Sequence, residues 1–246
     1  MIEWGSGVVS EMFFGMDLNI FKNLFEKDDG PLTSAALRKV LSDILTPMLR
    51  KWGLTKYDGE YLWYSDFNQE GIRRVFKYTL IKGNRGLCAW GVAFKNIPIV
   101  TQEKKLQYHR TEKNIALQLW EWPHGYTVSL ENDVPPTDMV SHASEKECRQ
   151  TLQEIISIYR LEIEHWYHNS DTLKGCLEIV NKQIEDCGVY RTRWPSGNYM
   201  KIFLLALQGD KAQANELLTK ATEPTFKRNA SWQNVISQVR KEIDSF

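Results

Sequence analysis

Apolar positions change their period along this 246-residue chain, and the change divides it. Between Asp17 and Lys27, Leu18, Ile20, Phe21, Leu24 and Phe25 recur at helical spacing, and Asp28-Asp29-Gly30-Pro31 then stops the run. This predicts a short amphipathic helix closed by a turn. Thr33 or Ser34 caps a second predicted helix with the stripe Leu37, Val40, Leu41, Ile44, Leu45, Met48 and Leu49, ended by Gly53. Pro47 falls inside that run. Lacking an N–H, it is expected to kink the helix near Asp43 or split it in two.

The period then drops to two. Tyr61-Leu62-Trp63-Tyr64 reads as a strand, and Ile72 to Lys82 alternates Phe76, Tyr78 and Leu80 against Val75, Lys77 and Thr79. Gly83-Asn84-Arg85-Gly86 reads as a hairpin loop, after which Cys88, Trp90, Val92 and Phe94 share one face of the return strand. Its other face, Leu87, Ala89, Gly91 and Ala93, is small enough to admit a helix or another backbone. A further pair, Ile115–Trp122 and Tyr126–Leu130, is expected to meet across Pro123-His124-Gly125. The result is an antiparallel meander of about four or five strands.

Beyond Pro135-Pro136 the helical period returns. Ser144 and Glu147 form a capping box ahead of the stripe Cys148, Leu152, Ile155, Ile156, Tyr159, Ile163 and Trp166. Asn169-Ser170 breaks and recaps the chain before Leu173, Cys176, Leu177, Val180 and Ile184. Ser196, Asp210 and Ser231 cap three more helices. Residues 199–221 look like a tetratricopeptide-type hairpin, but the unit does not recur, so no repeat array is expected. The fold class is α+β: N-terminal helices on an antiparallel β-meander, followed by a helical C-terminal region. Its expected divisions are a leader over 1–16, an α+β sheet domain over 17–134, and a helical region over 138–246 packed on or beside it. Met12 and Met16 are alternative starts to Met1.

Composition narrows the function classes. The chain is 42% hydrophobic and 25% charged, with 31 basic and 31 acidic residues, which argues against a surface built wholly to neutralise phosphates. Residues 31–96 nevertheless hold 11 basic and 5 acidic groups, so the sheet-forming segment is locally basic. Cys88, Cys148, Cys176 and Cys187 match neither a metal pair nor a disulfide framework and read as buried thiols of a reducing compartment. No run approaches the roughly 18 apolar residues of a membrane span, and the first residues lack the pattern of a secretion signal. A cytoplasmic location is expected.

The segment Leu45-x-Pro47-x-Leu49-Arg50-x-x-Gly53-Leu54-x-Lys56, followed by Tyr61-x-Trp63-Tyr64, resembles the opening of the bacterial domain-of-unknown-function family 4304. The resemblance covers residues 37–95 and is structural, a helix stop and a strand start. Leu54 stands where members tend to carry an aromatic. The family implies an α+β domain without a known activity, and some small α+β families of this kind resemble immunity proteins of bacterial toxin systems.

Two clusters invite a chemical reading. Glu162 and His165 share a helical face, and His168 follows at the same spacing. Glu-x-x-His aims a carboxylate and an imidazole into one cavity in metal-binding bundles. Such sites need a second pair, and helix-end residues meeting the dipole account for the same pattern. Arg73, Arg74, Lys77 and Arg85 lie near Trp63 and Tyr64 on the predicted sheet. Basic groups among aromatics suit a protein partner or single-stranded nucleic acid, although a solvated face over an aromatic core explains them too. No phosphate-loop, dinucleotide or nucleophile-elbow motif is present. The leading expectation is therefore a non-enzymatic protein-binding protein without a cofactor, of which an immunity-like factor that blocks a toxin is one form. The alternatives are a metal-dependent hydrolase using Glu162 and His165, and a nucleic-acid-binding protein.

Overall fold

The N–H of Ala36 donates to the Thr33 hydroxyl at 3.3 Å and so starts helix α1 (Ser34–Lys51), which buries Leu37, Val40, Leu41, Leu45 and Leu49. In the computed structural model, which describes residues 30–126, 137–186, 195–226 and 230–246, this helix continues through Pro47 instead of splitting. Asp43 and Pro47 are both exposed. The Asp43 carbonyl, which loses its N–H partner to proline, thus lies on the solvent side, where water can donate to it.

The sheet follows with β1 (Lys56–Tyr57), β2 (Leu62–Tyr64), β3 (Ile72–Ile81), β4 (Arg85–Phe94), β5 (Ile99–Val100), β6 (Leu106–Gln107), β7 (Leu119–Glu121) and β8 (Val140–Ser141). Its order is β1-β2-β3-β4-β7, with β8 also pairing β4, and its pairings are antiparallel. β5 and β6 form a separate two-stranded sheet. The β3–β4 hairpin runs in register from Ile72↔Phe94 to Ile81↔Arg85. Gly83 and Asn84 turn it with φ of 83° and 54°, the left-handed region that glycine and asparagine tolerate best.

One face of the sheet carries Trp63, Phe76, Tyr78, Cys88, Trp90, Val92 and Phe94 into a core shared with α1 and the later helices. The opposite face carries a smaller cluster of Tyr64, Val75 and Ala93, covered by Leu62, Ile115 and Leu117. Apart from Arg85, β4 is therefore buried along its whole length. The close approach expected at its small face is real. A Cβ on Gly91 would stand 2.3 Å from the Leu119 carbonyl oxygen and 2.6 Å from the Trp120 Cβ. A Gly91→Ala variant should consequently push β7 away from β4 and lose about 1–3 kcal/mol of stability. Urea unfolding checks this, and an unchanged midpoint would refute the contact.

At Pro123-His124-Gly125 the described residues do not form the expected turn between two strands. Only Leu119–Glu121 is extended, pairing with β4, and residues 124–126 make a helical turn. Pro123 explains the difference, since its fixed φ and missing N–H suit the start of a helical turn. The other expected strand of that pair falls mostly at 127–130, outside the described residues, as do the leader, the 17–27 helix, Cys187 and the Pro135-Pro136 boundary.

The C-terminal part is helical as expected: α2 (Glu145–Asn169), α3 (Leu173–Asp186), α4 (Gly197–Leu207), α5 (Lys211–Phe226) and α6 (Ala230–Ser245). Ser144, Ser196 and Asp210 accept N–H bonds from Glu147, Tyr199 and Gln213. The box at Ser144 is half of the expected one, because the Glu147 carboxylate accepts from the Ser141 hydroxyl at 2.8 Å. Ala206 and Ala214, both buried, permit the close α4–α5 hairpin. Pro31–Phe246 form one compact unit, with a hydrophobic cluster running from Leu37 of α1 to Ile243 of α6. No helix among the described residues is long and apolar enough to cross a membrane. Cys88, Cys148 and Cys176 are buried and unpaired, and burial pushes the first two thiols up to about 12 and about 11.

Candidate functional site

Strand geometry disperses the basic and aromatic residues of the sheet. Successive side chains on β3 point to opposite faces, so Arg73 and Arg74 cannot share a surface. The Arg74 guanidinium turns inward. Its Nη1 donates to the Trp52 carbonyl at 2.6 Å, its Nε to Asp171 at 3.0 Å, and its Nη2 also pairs with Asp171. Arg73 is 4% exposed, with its guanidinium 4.0 Å from the Phe67 ring centroid and 5.3 Å from that of Tyr64. Trp63 is 0% exposed and Tyr64 is also buried. Neither ring can meet a partner, because pairing with β3 sends Trp63 into the main core and Tyr64 into the smaller cluster. Lys77 and Arg85 stay exposed. The expected binding patch is thus mostly structural.

The second cluster fares differently. α2 places Glu162, His165, Trp166 and Asn169 along one wall of a cleft of about 610 Å³. α3 supplies Ile179, Lys182, Gln183 and Asp186 opposite, and the end of β7 with the following turn supplies Glu121, Trp122 and His124. His168 lines a separate, shallower depression with Asp171 and Lys174. Helical geometry accounts for its departure, since six residues at 3.6 per turn leave it roughly 120° around the axis from Glu162.

Each wall is fixed by identifiable bonds. The Gly125 N–H donates to Asp138 at 3.0 Å and to the Tyr159 hydroxyl at 3.4 Å, while Tyr159 itself donates to Asp138. The turn bearing His124 is thereby tied to α2. Gln183 donates to the Trp120 carbonyl at 3.1 Å and to the Glu121 carboxylate at 3.3 Å, joining α3 to β7. The Trp122 ring meets those of Trp120 and Tyr126 edge-on at 4.6 and 5.2 Å, which stiffens the aromatic side. Nδ2 of Asn169 meets Nε2 of His165 at 2.9 Å.

Burial, then the neighbouring Glu121 charge, hold the Glu162 carboxyl above its ordinary range, with His124 and Lys182 pulling the other way. A carboxyl so perturbed, in a cleft with an aromatic wall, makes this the candidate site. The sequence reading missed Glu121 and His124, although their spacing repeats the Glu-x-x-His of Glu162 and His165. The signal lay in the sequence, but Pro123 and the end of a strand concealed that the two pairs face one space. Even so, among the described residues no three His, Cys, Asp or Glu side chains group as a metal-ligand set. The cleft can accept cations and donors at its carboxylates and flat apolar groups at its indoles. No family model, curated protein or solved structure matches this chain.

Proposed function

We propose that the chain is a binding protein that recognises a protein partner through the outer face of α2 and the cleft beside it. The observation that carries this reading is the exposure of Ile158 and Leu161, at 67% and 69%. Ile158, Leu161, Glu162 and His165 follow i, i+3, i+4, i+7 spacing, so they form a single stripe. The core already takes the other side of α2 through Ile155, Ile156, Tyr159, Ile163 and Trp166. Two aliphatic side chains held in water beside a polar cleft suit an interface, in which an apolar centre is ringed by polar groups. Burying each on a partner would contribute about 1.5–3 kcal/mol.

A photo-cross-linking residue at position 158 or 161, in cells that make the protein natively, should yield one discrete covalent adduct. The same residue at exposed Gln213 on α5 should yield none. The Ile158→Asp/Leu161→Asp variant should stay folded, since surface changes typically shift stability by only about 0.5 kcal/mol, and should no longer compete for that partner. Adducts indistinguishable between the stripe and Gln213 would refute the reading.

A further inference from the structure

The exposed face of α2 is complementary to itself. Gln150, Glu154, Ile158, Leu161, His165 and Asn169 are all exposed, and at 3.6 residues per turn they share about 100° of the helix circumference. They are spaced symmetrically about a point between Tyr159 and Arg160. From either end the stripe runs amide, ionisable group, aliphatic side chain. Gln150 Nε2 donates to Glu154 Oε1 at 2.9 Å, and Asn169 Nδ2 meets His165 Nε2 at 2.9 Å. An amide nitrogen can only donate, so His165 Nε2 accepts and the ring proton sits on Nδ1. That Nδ1–H and the second Glu154 oxygen make no other hydrogen bond among the described residues. One end of the stripe thus holds a spare acceptor and the other a spare donor.

Resting on the reading of α2 as a partner surface, we infer that the partner is a second copy of this chain, its α2 packed antiparallel on the first across a two-fold axis. Such an interface is isologous, so each contact occurs twice. Ile158 meets Leu161 of the second copy, and the two pairs form the apolar centre. Glu154 accepts from the His165 Nδ1–H opposite, and Gln150 and Asn169 close the ends, which gives the polar rim of an ordinary interface. Glu162, beside the stripe, falls opposite Ser157, so no two carboxylates face each other directly. A parallel pair would set Glu154 against Glu154, a like-charge contact that the antiparallel pair avoids. One helix from each copy makes an interface at the small end of the range, below ~1,200 Å² in total, where complexes are weak and transient. A dissociation constant on the order of 10–100 µM is expected.

Sedimentation equilibrium of the full chain from about 1 to 300 µM brackets that constant and should show monomer passing to dimer. Ile158→Asp/Leu161→Asp, with an unchanged far-ultraviolet circular dichroism spectrum, should stay monomeric throughout. Glu154→Arg and His165→Glu, made singly, should each weaken self-association about tenfold, because symmetry repeats each change at both ends of the pair. Combined in one chain they should restore it. Antiparallel pairing then sets the new arginine against the new glutamate, whereas parallel pairing sets like against like. A chain that is monomeric at the highest concentration, a dimer that survives Ile158→Asp/Leu161→Asp, or a combined variant no tighter than the single ones would each overturn the inference. A stripe-specific adduct with a different protein, from a chain that is monomeric alone, removes the second copy and leaves the partner surface standing. Adducts that do not single out the stripe over Gln213 remove the surface itself.

Discussion

Trp63→Ala is expected to cost about 3–5 kcal/mol, a large share of the stability of a domain this size. Trp63 is among the largest side chains with no exposed surface. Its ring stacks on Tyr57 at 4.4 Å and 15°, meets Phe76 edge-on at 6.3 Å, and donates its Nε1–H to the Thr46 hydroxyl at 3.0 Å. Truncation removes the transfer free energy of the ring and leaves a cavity beneath α1, because close-packed neighbours collapse only partly into the space. Thr46, part-buried beside it, loses this bond at about 1 kcal/mol and keeps only its contact with the Ser42 hydroxyl at 3.3 Å. In urea the midpoint should fall sharply with the slope unchanged. Trp63→Phe should keep much of the packing and forfeit mainly the hydrogen bond. A Trp63→Ala protein that unfolds at the wild-type midpoint would restore the ring to the surface and revive the sheet as a docking face.

Trp63 shows where a sequence stops being legible. Its alternation with Leu62 and Tyr64 is visible, and so the strand is visible, but period two says only that neighbours face opposite ways. It does not say which face is inside. β3 and β4 bury both faces of much of their length, so basic residues on β3 become internal partners: Arg74 for Asp171 and Trp52, Arg73 for Phe67 and Tyr64. Helix starts were easier to read, because a cap is a local bond between a side chain and an N–H three residues on, as at Thr33, Ser144 and Ser196. The two-residue strands β1, β5, β6 and β8 have no period to read and exist through their pairings. The cleft was half legible for the same reason. Glu162 and His165 share a helix face by arithmetic, whereas Glu121 and His124 join them only because β7 pairs with β4 and the turn at Gly125 is bonded to Asp138 and Tyr159.

The second large effect is expected from pH. His142 is 6% exposed beside β8, its backbone bonded to Asn84 at 2.7 Å and to Leu32 at 3.0 Å, and its Nε2 meets the Tyr78 hydroxyl in a buried hydrogen bond. Burial pushes the Tyr78 phenol well above its usual range, so it stays protonated and donates, which requires a neutral imidazole as acceptor. Burial also pulls the His142 pKa below its ordinary value. The unfolded chain takes up this proton near pH 6.5, while the folded chain refuses it until a lower pH. Unfolded molecules therefore bind more protons in the interval, and stability falls as pH falls. The contribution is fully present above about pH 6.5 and is lost at up to 1.4 kcal/mol per pH unit until the folded-state pKa is reached. His109 is shifted in the same direction by burial and adds to the slope. Glu162, raised in the folded state, opposes it by binding its proton more tightly when folded. The measurement is unfolding free energy from about pH 7.5 to 5, above the range where most carboxylates titrate. His142→Gln keeps an amide that can accept from Tyr78 but cannot take the proton, so it should flatten the curve to the remainder set by His109 and Glu162. If wild type and His142→Gln lose stability in parallel over that range, the Tyr78–His142 bond is not what acid breaks.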